Sequence, residues 1–99
     1  MGVNIQIRLT PAQVSALECA SDDSWTVMRA WRGSTLSVSD AAHARLLADA
    51  LADLANSEDA QAEECMRLRN GARDVEGARM ASGARDALTN LAARVRAAA

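Results

Sequence analysis

The chain has no lysine, tyrosine or phenylalanine, and its 99 residues include one histidine, one proline and two cysteines. Each scarcity excludes something. Without Tyr or Phe, single strands of nucleic acid find no row of rings to stack on. A lone histidine supplies neither a histidine metal cluster nor an HExxH helix. Cys19 and Cys65 lie far apart and form no CxxC, so neither a disulfide framework nor a zinc motif is written here; reduced, buried thiols are expected. No glycine-rich loop joins a strand to a helix, and no apolar run reaches membrane-spanning length. The N-terminus lacks a basic stretch followed by an apolar one, so no secretory leader is expected. The expected location is cytoplasmic, or the host cytoplasm if a phage encodes the chain. No cofactor is expected.

What is present is alanine and arginine. Alanine supplies 23 residues, all eleven cations are arginine, and the net charge is −2. That usage fits a GC-rich bacterial or phage genome, and chemically it favours planar, bidentate contacts with carboxylates. The charge is segregated. Residues 1–39 balance, residues 40–66 carry seven acids against Arg45, and residues 67–99 carry seven arginines against Asp74, Glu76 and Asp86. Large apolar side chains are segregated too: 18 precede Ala55 and eight follow it. The second half therefore needs the first half, a second copy or a target to hold it.

Val3, Ile5, Ile7 and Leu9 alternate with polar residues, which predicts a strand with one buried face. Thr10-Pro11-Ala12-Gln13 predicts a capped helix start, with Val14 and Leu17 inward. Trp25 to Val38 reads as a hairpin turning at Arg32-Gly33, with Trp25, Val27, Trp31, Leu36 and Val38 on one face. Ser39 or Asp40 caps a helix whose stripe is His43, Leu46, Leu47, Ala50, Leu51 and Leu54, ending near Asn56. Ser57-Glu58-Asp59 reads as a second helix start, continued by Cys65, Leu68, Ala72 and Val75, with a stop at Asn70-Gly71. A six-residue repeat (Asn70-Gly-Ala-Arg, Glu76-Gly-Ala-Arg, Ser82-Gly-Ala-Arg) points its glycines in three directions on a helix. Residues 70–83 thus read as a weak or broken part of the arm. A last stripe follows: Ala84, Leu88, Leu91 and Val95.

Trp31-Arg32-Gly33 is similar to the three-letter signature of the WXG-type secreted helical-hairpin proteins. In that family the motif joins two long helices, whereas here it sits in a predicted hairpin, and the tyrosine of the secretion motif is missing. Residues 4–20 resemble the opening of a ribbon-helix-helix repressor, a strand with outward Asn4, Gln6 and Arg8 followed by a capped helix. The resemblance implies base reading by a two-stranded ribbon, but the second helix does not follow directly. Neither family is carried over.

These readings give an α+β fold: a small three-stranded, mostly antiparallel sheet in the order β-α-β-β-α, with an Ala-rich helical C-terminal arm. Residues 1–56 form the core. Residues 57–99 form an arm that belongs to the same domain or extends from it for dimerisation or partner binding. With no clustered catalytic groups, the expected function is a non-catalytic protein-binding module, a stoichiometric regulator or inhibitor of the kind that blocks a host machine such as a CRISPR complex. The candidate partner-binding residues are Arg67, Arg73, Arg79, Arg85, Asp49 and Asp53, with a homodimer expected through the arm. The alternative is a DNA-binding transcriptional regulator that uses the N-terminal strand or the basic arm. Against nucleic acid, the arm's arginines are interleaved with acids, and the acidic segment already offers them an antiparallel partner.

Overall fold

A computed structural model describes residues 5–67 and 72–98 of the chain. Strand β1 (Ile5–Arg8) leads into helix α1 (Pro11–Ala20), a short 3-10 turn (Ser21–Asp23) and helix α2 (Trp25–Ala30). Strands β2 (Trp31–Arg32) and β3 (Thr35–Val38) follow, then two long helices, α3 (Ala41–Cys65) and α4 (Val75–Ala98). The sheet is antiparallel in the order β1-β3-β2. The fold class is α+β.

The start of the chain forms as its pattern dictates. Ile7 and Leu9 are buried while Gln6 and Arg8 face solvent. Thr10 and Gln13 close the reciprocal cap: the Gln13 amide N–H donates to Thr10 Oγ1 at 3.2 Å, and the Thr10 amide N–H donates to Gln13 Oε1 at 3.0 Å. Gln13 is nevertheless buried, because Arg94 of α4 reaches across to donate to the same Oε1 at 2.8 Å. One amide oxygen thus caps α1 and pins the end of α4 to it.

Residues 25–30, expected as a strand, form a helix instead. Ser24 caps it, its hydroxyl accepting the Val27 amide N–H at 3.4 Å, and the buried residues are Val27 and Ala30, three apart. The hairpin survives in shortened form. Trp31 pairs with Leu36 and Arg32 with Thr35, so the two-residue turn is Gly33-Ser34, one residue later than expected. Gly33 takes φ +58°, which glycine adopts at no steric cost, and the Trp31 indole closes the turn by donating to the Gly33 carbonyl at 2.7 Å. This register differs from the expected one by two residues, so Trp31, Leu36 and Val38 keep their common face.

Helix α3 starts at the expected cap, with Asp40 Oδ1 accepting the His43 amide N–H at 2.7 Å. It does not stop near Asn56. Ser57-Glu58-Asp59 lies inside one continuous helix, because neither proline nor glycine interrupts it and α4 packs along its length. The inward stripe is Ala44, Leu47, Ala48, Leu51, Leu54 and Ala55, whereas Leu46 is 62% exposed. After Cys65 the chain leaves the helix. Leu68, Asn70 and Gly71 fall outside the described residues, and Ala72 and Val75 face solvent instead of extending a seam. Helix α4 then runs unbroken through Gly77 and Gly83, although a weak or broken segment was expected there.

The chain's second half is held by its first. Leu88, Leu91 and Val95 have no accessible surface, and they share one cluster with Leu17, Leu36, Leu47 and Leu51. Alanine also contributes more than codon usage: among the described residues, 11 of the 23 buried apolar side chains are alanines. On α3 and α4 they keep the contacting faces thin and let the two helices approach closely. Ala62, Ala78 and Ala81 are buried beyond the central cluster, between the far ends of these helices. The molecule is a rod, 58 Å long and 21 Å across, with the sheet at its head and the helical hairpin as its shaft.

Candidate functional site

Antiparallel packing of α3 on α4 lays the acidic segment against the basic one. Three of the predicted binding residues, Arg67, Arg85 and Asp49, find ion-pair partners within the chain, none of them another predicted residue. Arg85 Nη1 lies 2.7 Å from Asp59 Oδ1, and its Nη2 lies 3.0 Å from Asp86. These carboxylates, Asp59 first, hold the guanidinium more firmly protonated than usual. Arg96 approaches Asp49 at 3.6 Å, and Arg67 approaches Glu64 at 3.5 Å within one turn. All these pairs are at least one-third exposed and contribute little stability, and only Arg85–Asp59 and Arg96–Asp49 cross between the two helices. Arg73, Arg79 and Asp53 are exposed and make no ion pair with another described residue. The six expected residues are therefore spread along the shaft and do not converge on one spot.

A different group converges at the head. Three exposed apolar side chains lie there: Trp25 at 71%, Met28 at 41% and Leu46 at 62%. Trp25 and Met28 are three residues apart on α2 and share one side of it. Beside Trp25 opens a cleft of about 440 Å³ between α2, the end of β3 and the start of α3, lined in part by Arg29, Ser39 and His43. The Arg29 guanidinium carbon sits 6.0 Å from the Trp25 ring centroid. His43 Nδ1 accepts the Ser39 amide N–H at 3.0 Å, which places the imidazole proton on Nε2 and leaves that nitrogen a donor. Leu46 lies one turn beyond His43 on α3.

Sequence reasoning put Trp25 in the core and so missed this face. The signal that could have found it is Ser24: a serine cap makes residue 25 the first of a helix, and Val27 with Ala30 then takes the inner side. The cysteines also differ from expectation. Cys19 is exposed and Cys65 half-buried, both as free thiols. Among the described residues, no three His, Cys, Asp or Glu side chains gather as for a metal ion, and no helix is long and apolar enough to cross a membrane.

No protein-family model matches the chain, no characterised protein is detectably similar to it, and no solved structure matches its fold.

Proposed function

We propose that the protein is a small non-catalytic protein-binding module, acting stoichiometrically on a partner that docks on the Trp25 face. One observation carries this reading: the core is built chiefly from leucine, valine and alanine with Trp31 packed against it, while the second tryptophan, Trp25, stands 71% exposed on a helix barely six residues long. Tryptophan, arginine and methionine are the side chains that interfaces enrich, and tryptophan and arginine dominate binding hot spots. A tryptophan that its own fold does not bury is a surface awaiting cover. The arginine-for-lysine, alanine-rich composition supports a bacterial or phage regulator or inhibitor working in the cytoplasm.

A homodimer through the arm loses its motive, because Leu88, Leu91 and Val95 are already covered by the chain's own helices. The DNA-binding alternative keeps one supporting feature: Gln6 and Arg8 are exposed on an edge strand. Against it, the Gln6 side chain accepts a hydrogen bond from Ser37, and Arg85 and Arg96 are turned toward acids. The test is affinity capture from the native host with the wild-type chain and with Trp25→Ala, both shown by circular dichroism to be folded. One partner retained at equimolar ratio by the wild type and lost from the variant supports the module. An unchanged capture profile, or a salt-steep shift of duplex DNA without protein capture, overturns it.

A further inference from the structure

The lining of the head cleft says which chemistry its partner presents. No carboxylate lines it. Its strongest groups are donors: the Arg29 guanidinium and Nε2–H of His43, with the Ser39 and Thr26 hydroxyls beside them. Arg29 makes no ion pair with any described residue, in a chain whose acids outnumber its cations thirteen to eleven. Its guanidinium carbon lies 6.0 Å from the Trp25 ring centroid, and no hydrogen bond or ion pair among the described residues uses its N–H groups, so they can receive a carboxylate through two parallel hydrogen bonds. The α3 N-terminus opens at the same place, but the Asp40 carboxylate that caps it offsets its dipole, so the donors of the cleft are the Arg29 and His43 side chains. Trp25, 71% exposed, lines the same cleft beside these donors.

Resting on the protein-binding reading above, we infer that the cleft takes an acidic segment of a partner protein: an Asp or Glu carboxylate received by Arg29 and His43, with an adjacent large apolar side chain covering Trp25. Charge placement selects a carboxylate over a nucleic-acid backbone. Asp22, Asp23 and Asp40 adjoin the cleft in the chain. With three acids adjoining it in the chain and Arg29 the only guanidinium in its lining, the cleft suits a single carboxylate better than a run of phosphates. An apolar partner side chain laid over Trp25 also excludes water from the adjacent ion pair and raises its worth.

Display of random dodecapeptides against the full chain, with counter-selection on Trp25→Ala, tests this directly. The enriched peptides are expected to carry Asp or Glu within two residues of Leu, Met or an aromatic side chain. Changing that acid to its amide should weaken binding at least tenfold, and Arg29→Gln should weaken the acidic peptide equally. The amide peptide should be indifferent to Arg29→Gln, which marks the two groups as one interaction. Arg29 is exposed, so its variant folds; His43→Gln, expected to weaken the acidic peptide severalfold, gives an independent check. Trp25-dependent peptides that are neutral or basic overturn the acidic assignment while leaving the protein-binding reading standing. The absence of any Trp25-dependent peptide removes both. Binding of a duplex DNA probe that Arg29→Gln abolishes would replace the carboxylate with phosphate.

Discussion

Replacing Leu91 by alanine tests whether α4 is part of the fold or an appendage to it. Leu91 has no accessible surface and sits in one cluster with Leu17, Leu47 and Leu51. The substitution removes three carbons, a transfer loss of about 2.4 kcal/mol at 0.8 kcal/mol per buried group. The cavity left behind adds to this, and buried leucine-to-alanine changes cost about 2–5 kcal/mol in all. We expect about 3 kcal/mol. A domain of this size has about 5–15 kcal/mol of stability in total, so the variant keeps its fold but loses a large share of its margin. The melting temperature should fall by about 12–24 °C, taking 4–8 °C per kcal/mol for a domain of this length. Urea titration followed in parallel by far-ultraviolet circular dichroism and tryptophan fluorescence makes the measurement. The dichroism reports chiefly the long helices, and the fluorescence reports the head. In wild type and variant alike the two transitions should coincide, because a shared core unfolds as one unit. Met80→Ala is the control: Met80 lies on the same helix but is 67% exposed, and the change should stay within about 0.5 kcal/mol. A Leu91→Ala loss below about 1 kcal/mol, or dichroism lost well before fluorescence, refutes the shared core. Deleting everything after Asn56 should then yield no folded monomer, since it strips cover from Leu17, Leu47 and Leu51.

Gln13→Glu should stabilise the protein by about 1 kcal/mol at neutral pH, because a carboxylate strengthens both the cap on Thr10 and the contact from Arg94. That gain belongs to the charged form, so it should vanish as the carboxylate is protonated at low pH in a thermal-melt series. Gly83→Ala should add up to about 1 kcal/mol, since a Cβ there meets nothing within 4 Å. Gly77→Ala should gain little by the same assay: its Cβ would press on the Asp74 carboxylate, which accepts the Gly77 amide N–H at 2.8 Å and caps α4. His43→Gln should preserve stability within about 0.5 kcal/mol by keeping an acceptor for the Ser39 amide, whereas His43→Ala should lose about 1 kcal/mol in urea titration.

Local chemistry was legible. The β1 alternation from Ile5 on, the Thr10–Gln13 box, the Asp40 cap and the Leu88-Leu91-Val95 stripe each depend on residues within a few positions of one another, and each formed as read, while Val3 and Asn4 lie outside the described residues. The misreadings arose where two local signals competed. Trp25 to Ala30 alternates like a strand, yet its two inward residues are three apart, and over six residues only the Ser24 cap separates the two periods. Ser57-Glu58-Asp59 has the chemistry of a helix start. Ala55 and Ala62, on either side of it, both face α4, and that continuous tertiary contact overrides the cap signal. Leu46 illustrates a third failure: a helical stripe drawn by hydrophobicity alone includes it, but the stripe that α4 and the sheet cover is centred on Leu47 and Leu51.

The same thin, alanine-lined seam explains why the candidate face is where it is. Helices that meet through alanine bury little apolar area per residue, so the far part of the hairpin relies on the leucine cluster at the head for its stability. Residues that build that cluster are not free to serve a partner: Leu17, Leu36, Leu47, Leu51, Leu88 and Leu91 are all fully buried. The shaft directs Arg85 and Arg96 at acids and spreads other exposed groups, Arg73, Arg79, Asp53, Met66, Val75 and Met80, along its length. What remains for binding is the outer side of α2, a short helix joined to the core by Val27 and Ala30 alone. Trp25, Met28 and Arg29 can therefore change with little cost to folding, and that separation can be measured. Trp25→Ala should shift the melting temperature by less than about 4 °C, the equivalent of under 1 kcal/mol. A larger loss would make Trp25 part of the fold's own support and would remove the reason for reading its face as a docking surface.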